Sequence, residues 1–106
     1  MREQARAAAG SLVCRILGNL LAHRIVCAIG TRRRRPIELS RELRASASAI
    51  VNQLKIMKAA GLVKWHSTGI RRKGRVVEYW LADPSLLRLC ELSHDVVRRA
   101  RASHEL

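Results

Sequence analysis

Apolar residues recur every three or four positions through the first half of the chain, then give way near residue 61 to stretches crowded with β-branched and aromatic residues. The first pattern predicts helices and the second predicts strands. In "REQARAAAGSLVCRIL", Leu12, Val13, Ile16 and Leu17 keep helical spacing before Gly18 and Asn19 interrupt it. A second helix, Leu20 to Ile29, carries Leu21, Ile25 and Ile29 every four residues and stops at Gly30, a natural left-handed cap. The run "TRRRRP" sets like charges side by side, which repel within a helix and predict an exposed loop or helix end.

Pro36 suits the first turn of a short helix, "PIELSREL", in which Leu39 and Leu43 face one way. In "RASASAIVNQLKIMKAAG", Ser46 is placed as an N-cap and Gly61 just past the end. Ile50, Leu54 and Met57 form the buried stripe of that helix, and the opposite face is Ser48, Asn52 and Lys55, flanked by Ala49, Val51 and Gln53. That outward face contains no acid. "LVKWHS" and "RVVEYWLA", joined by "TGIRRKG", read as a β-hairpin with a basic tip. Asp83 and Pro84 open a final helix whose apolar stripe is Leu86, Cys90, Val97 and Ala100. The expected architecture is a mainly α fold with a β-hairpin wing (α+β), in the order α-α-α-α-β-β-α, filling residues 1–106 as a single domain.

Charge narrows the choice of partner. The chain has 106 residues with 21 Lys and Arg against 8 Asp and Glu, a formal net charge of +13. Such an excess favours a polyanion, either nucleic acid or an acidic membrane surface. The longest apolar region is interrupted by Arg15, His23 and Arg24, which argues against a membrane span, and no export signal is evident. The three cysteines, Cys14, Cys27 and Cys90, cannot all pair within one chain, so a cytoplasmic protein with reduced thiols is expected.

A polar-faced helix followed by a basic hairpin forms a winged helix-turn-helix, and its dimensions suit duplex DNA. The major groove, about 12 Å wide, admits one α-helix, whose outward side chains must then donate and accept hydrogen bonds at base edges. Ser46, Ser48, Ala49, Val51, Asn52, Gln53 and Lys55 are the candidate contacts of the helix. Arg71, Arg72, Lys73 and Arg75 at the wing tip are candidates for phosphates, as solvated turn cations in an arbitrary protein are not. An architectural or RNA-binding basic module with no inducer is the alternative, disfavoured because readers of shape need cations more than Asn and Gln. The chain shows no nucleophile, base and orienting acid in a catalytic set, and no glycine-rich phosphate cradle. Neither an enzymatic activity nor a cofactor is expected.

"ILGNLLAHRIVCAI", "IELSRELRASASAIVNQLKIMKAAGLV" and "VVEYWLADP" resemble the arsenic-repressor (ArsR) family of winged helix-turn-helix regulators over about Ile16 to Pro84. The most specific matches are Leu17-Gly18-Asn19, Leu54-Lys55 and Ala60-Gly61-Leu62-Val63. The resemblance implies a homodimer joined by its first and last helices, with recognition helices in successive major grooves of an imperfect palindrome. Members of the family usually repress their own operon and release DNA when an inducer binds. The chain departs from the pattern at Leu20-Leu21-Ala22, in a longer wing, and in lacking the paired cysteines that bind metal in the family's short helix.

Two residue sets bear on sensing. Cys27 is similar in position to the second-helix cysteine of sulfide- and persulfide-responsive members, and Cys90 stands about two turns before their last-helix cysteine; both equally suit small buried hydrophobes. A neighbouring Arg24 is expected to lower the pKa of Cys27 if that thiol reacts. Some members hold zinc with histidines and carboxylates of the last helix, and His94, Asp95, His104 and Glu105 are of the right types. Leu92 stands where that pattern has an acid, so these read as surface residues. His23 and His66 have no ligand-like neighbour in sequence, and no metal site is expected.

Overall fold

The computed structural model describes residues 2–69 and 76–105. Helices α1 (Arg2–Leu17), α2 (Leu20–Ile29), α3 (Pro36–Leu43) and α4 (Ala47–Ala59) precede strands β1 (Val63–Thr68) and β2 (Val76–Leu81), and α5 (Ser85–Glu105) closes the order. The strands pair antiparallel, with Val63 opposite Leu81 and Thr68 opposite Val76. The wing-tip cations Arg71, Arg72, Lys73 and Arg75 lie outside the described residues.

The core is aliphatic. Ile25 and Ile29 of α2, Leu39 of α3, and Ile50, Leu54 and Met57 of α4 are fully buried against one another and against Leu86 and Cys90 of α5. Each such side chain contributes roughly 1.5–3 kcal/mol by leaving water. The helix ends are capped locally. Asn19 Oδ1 accepts the Ala22 amide at 3.1 Å, Ser46 Oγ accepts the Ala49 amide at 3.2 Å, and Asp83 Oδ1 accepts the Ser85 amide at 2.9 Å. Gly30 ends α2 with φ +56° but ψ −121°, a glycine conformation other than the left-handed helical cap.

The turn between α3 and α4 sets the angle between those two helices. Arg44 adopts φ 52° and ψ 43°, a left-handed conformation that costs a non-glycine residue roughly 1–2 kcal/mol. The Ser40 hydroxyl offsets part of that cost by donating to the Ala45 carbonyl at 2.6 Å, while the Ala45 amide donates back to the Ser40 carbonyl at 3.1 Å.

The arginine run is not uniformly a solvated loop. Arg34 pairs its backbone with Tyr79, each amide donating to the other's carbonyl at 2.8 Å, and so adds an isolated bridge to the wing. Its guanidinium donates to the Ala28 carbonyl at 2.8 Å and to Glu42 at 2.6 Å. This one cation ties α2, α3 and the wing together because it finds a carboxylate and a carbonyl to satisfy it. Arg33 stacks over Trp80, 4.2 Å from the ring centroid.

α5 also differs from its expected stripe. Leu86 and Cys90 face the core, but Val97 and Ala100 lie beyond the end of that core and are exposed. A second row, Leu89, Leu92 and Val96, is exposed beside them, at 43%, 52% and 53%. The chain's radius of gyration is 16.1 Å, against about 13 Å for a compact domain of this length, because the terminal helices reach past the core.

Candidate nucleic-acid interface

Burial of Ile50, Leu54 and Met57 turns the opposite face of α4 outward. Ser48, Val51, Asn52 and Lys55 are exposed there, and with the half-buried Ala49 they line one shallow concavity. Ser46 stands at the start of the helix, its oxygen engaged as a cap and 3.4 Å from the Ser48 hydroxyl. The cap leaves the Ser46 proton available to donate. Lys58 lies over the Trp65 ring, its ammonium 4.0 Å from the centroid, which joins the end of α4 to the wing.

Gln53 does not join this face. It is only 8% exposed, and its position three residues after Ile50 and four before Met57 puts it on the buried stripe. An intermediate direction on the helical wheel resolved inward because α4 is covered over more than a narrow strip. Gln53 therefore lines the core side of α4.

The sequence left Cys27 and Cys90 open between a reactive pair and small buried hydrophobes; Cys27 is exposed and Cys90 is buried. Partial desolvation by its neighbours raises the Cys27 thiol above the usual range despite its exposed position, and the negative charge of Glu91 raises it further. Cys90 is pushed up to about 11 by burial first, then by the charges of Cys27 and Glu91. The Cys27 thiol is raised and not lowered as expected from Arg24, whose guanidinium donates to the Leu43 carbonyl at 3.0 Å. Cys14 is exposed and lines the same concavity as Cys90, between Leu17 and Leu89.

The structure gathers one group that the sequence left apart. His23 of α2 and His94 of α5 bring their Nε2 atoms to 2.6 Å although 71 residues separate them, and Cys27 stands beside them. The only sequence signal was the four-residue spacing of His23 and Cys27, which puts both on one flank of a helix. Asp95 bonds Arg98 at 2.9 Å, and the side chains of His104 and Glu105 lie outside the described residues.

Residues 23–64, from α2 into β1, match the model of the bacterial regulatory proteins of the arsR family. The matched residues span most of α2, all of α3 and α4, and the start of β1. Among solved structures, reduced HlyU from Vibrio cholerae superposes with a TM-score of 0.74 at 22% identity, over 90% of this chain and 95% of that one. The homodimeric winged helix-turn-helix DNA-binding domain of a possible ArsR-family regulator from Mycobacterium bovis gives 0.73 at 19% identity, over 97% and 90%. The transcriptional repressor BigR from Xylella fastidiosa gives 0.69 at 17% identity, over 91% and 92%. No curated protein sequence matches the chain. The segment that matches the arsR-family model thus sits in a winged helix-turn-helix fold, and among the described residues no single helix is long and apolar enough to cross a membrane.

Proposed function

We propose that the protein is a homodimeric repressor that binds an imperfectly palindromic operator in duplex DNA and acts in the cytoplasm. The observation that carries this reading is the outward face of α4, where Ser48, Asn52 and Lys55 stand exposed on an acid-free surface of an arsR-family helix-turn-helix. Asn52 is suited to a bidentate bond with adenine, Ala49 and Val51 to contact with a thymine methyl, and Lys55 to a phosphate or guanine. Arg71, Arg72, Lys73 and Arg75 of the wing are assigned to the phosphates, where each neutralised charge releases a counterion. Residues 1–106 act as one DNA-binding unit, its dimer seam built from α1 and the exposed row on α5. The homodimeric state of the M. bovis domain supports a dimer by analogy.

The test is a pair of titrations, one with operator selected from random duplexes and one with unrelated duplex. Asn52→Ala is expected to lose roughly 1–3 kcal/mol on the operator and little on unrelated DNA. An equal loss on both would reduce Asn52 to a positioning contact.

A thiol-triggered release is the second reading, favoured by one observation: α2, which carries Cys27, packs against α5, which carries Cys90. Oxidation to a disulfide would draw the two helices together and respace the recognition helices of the dimer. The raised pKa values count against a fast response, because the thiolate is the reactive form. Operator affinity unchanged by diamide would remove this reading.

A further inference from the structure

Three potential ligand atoms converge where α2 meets α5. The ring nitrogens of His23 and His94 and the Cys27 sulfur all lie within 4.8 Å of one another. The imidazole rings are tilted by 48° with centroids 4.8 Å apart, so they meet edge to edge at nitrogen and do not stack. Cys27 and His94 are exposed and His23 is half-buried, which gives an ion a route in and leaves one side open to water. We propose that His23, Cys27 and His94 form a binding site for one divalent transition-metal ion of the zinc class, tying α2 to α5 within a single chain.

The chemistry of the donors selects the ion. Two imidazole nitrogens and one thiolate match borderline-soft zinc, whereas calcium and magnesium require oxygen. Three protein ligands leave a fourth tetrahedral position for water. In a zinc site with Zn–N of about 2.0–2.1 Å, the two nitrogens stand about 3.3 Å apart. The observed 2.6 Å is a hydrogen bond between the rings, in which one Nε2 carries the proton. Uptake of the ion therefore exchanges that bond for two coordinate bonds and needs a small outward rotation of His94, which stands on the surface of α5. The donor ring moves its proton to Nδ1, and the Cys27 S–H bond breaks as the S–metal bond forms, its proton passing to solvent. No oxidation state changes.

The site lies apart from the outward face of α4, so its test does not depend on DNA binding. Chelator-stripped, reduced full-length protein is titrated with Co²⁺ and followed in the visible and near-ultraviolet. One equivalent per chain is expected, with tetrahedral ligand-field bands and a thiolate-to-cobalt charge-transfer band, and Zn²⁺ should displace the cobalt. Cys27→Ser should abolish the charge-transfer band. His94→Gln, on an exposed position, should weaken affinity by more than the about 10- to 100-fold that losing an outer-shell partner costs. Cys14→Ser should change neither, and far-ultraviolet circular dichroism should show every variant folded. Absence of saturable binding in the parent overturns the proposal, as does a charge-transfer band that survives in Cys27→Ser. Full affinity in His94→Gln overturns it equally.

Discussion

At the scale of residues, the positions that matter most are those whose surroundings change what the side chain can do. Asn52 and Gln53 are adjacent and both amides, yet Asn52 is exposed and Gln53 lines the core. The same holds for thiols. Because the pKa of Cys27 is raised, a smaller fraction is thiolate at neutral pH than in an unfolded chain, so folding slows its alkylation. Iodoacetamide is expected to modify Cys27 more slowly in the folded protein than in urea, the rate climbing as pH rises past the usual thiol value of about 8.5. Cys90, buried and near 11, should resist until the chain unfolds. Peptide mass spectrometry across pH checks both. Faster labelling of folded Cys27 would contradict the assignment. Cys27 and Cys90 were legible as a pair of interest, but their different exposure was not, because a residue on the edge of an amphipathic stripe is buried or not according to how far its neighbour reaches. The hydroxyl of Ser40, which holds the turn before α4, was equally invisible, since its partner is a backbone carbonyl.

At the scale of elements, helix boundaries were readable because caps are local. Asn19, Ser46 and Asp83 each bond an amide two or three residues on, and Pro36 opens α3 where a missing N–H has no consequence. Contacts between elements were not readable in the same way. Arg34 looked like one of four repelling cations, and only the folded wing supplies Tyr79 and Glu42 as its partners. His23 and His94 meet only because α5 returns across α2. α5 itself shows what a periodic pattern leaves undetermined: its stripe was legible, but where the core stops along it was not. In the proposed dimer, the exposed row Leu89, Leu92 and Val96 is the surface that a partner helix would cover. Val96→Glu should place an unpaired charge in that seam and shift the protein from dimer to monomer. Sedimentation at micromolar concentration measures it, and a parent that is already monomeric, or a variant that stays dimeric, would move the seam elsewhere.

At the scale of the molecule, a net charge of +13, a winged-helix fold and an acid-free outward helix face combine into one account. In the proposed account, charge would supply affinity for any duplex, the fold would aim α4, and Ser48, Asn52 and Lys55 would discriminate among sequences. A two-fold dimer extends this to paired half-sites, because symmetric recognition helices can occupy successive major grooves about 34–36 Å apart on one side of the duplex. The measurement that tests the account most directly is hydroxyl-radical footprinting of the purified protein on DNA upstream of its own coding sequence. The account predicts two protected half-sites related by a two-fold axis and centred about one helical turn apart, retained against excess unrelated duplex. Uniform protection that unrelated duplex abolishes, or no protection at all, would contradict it.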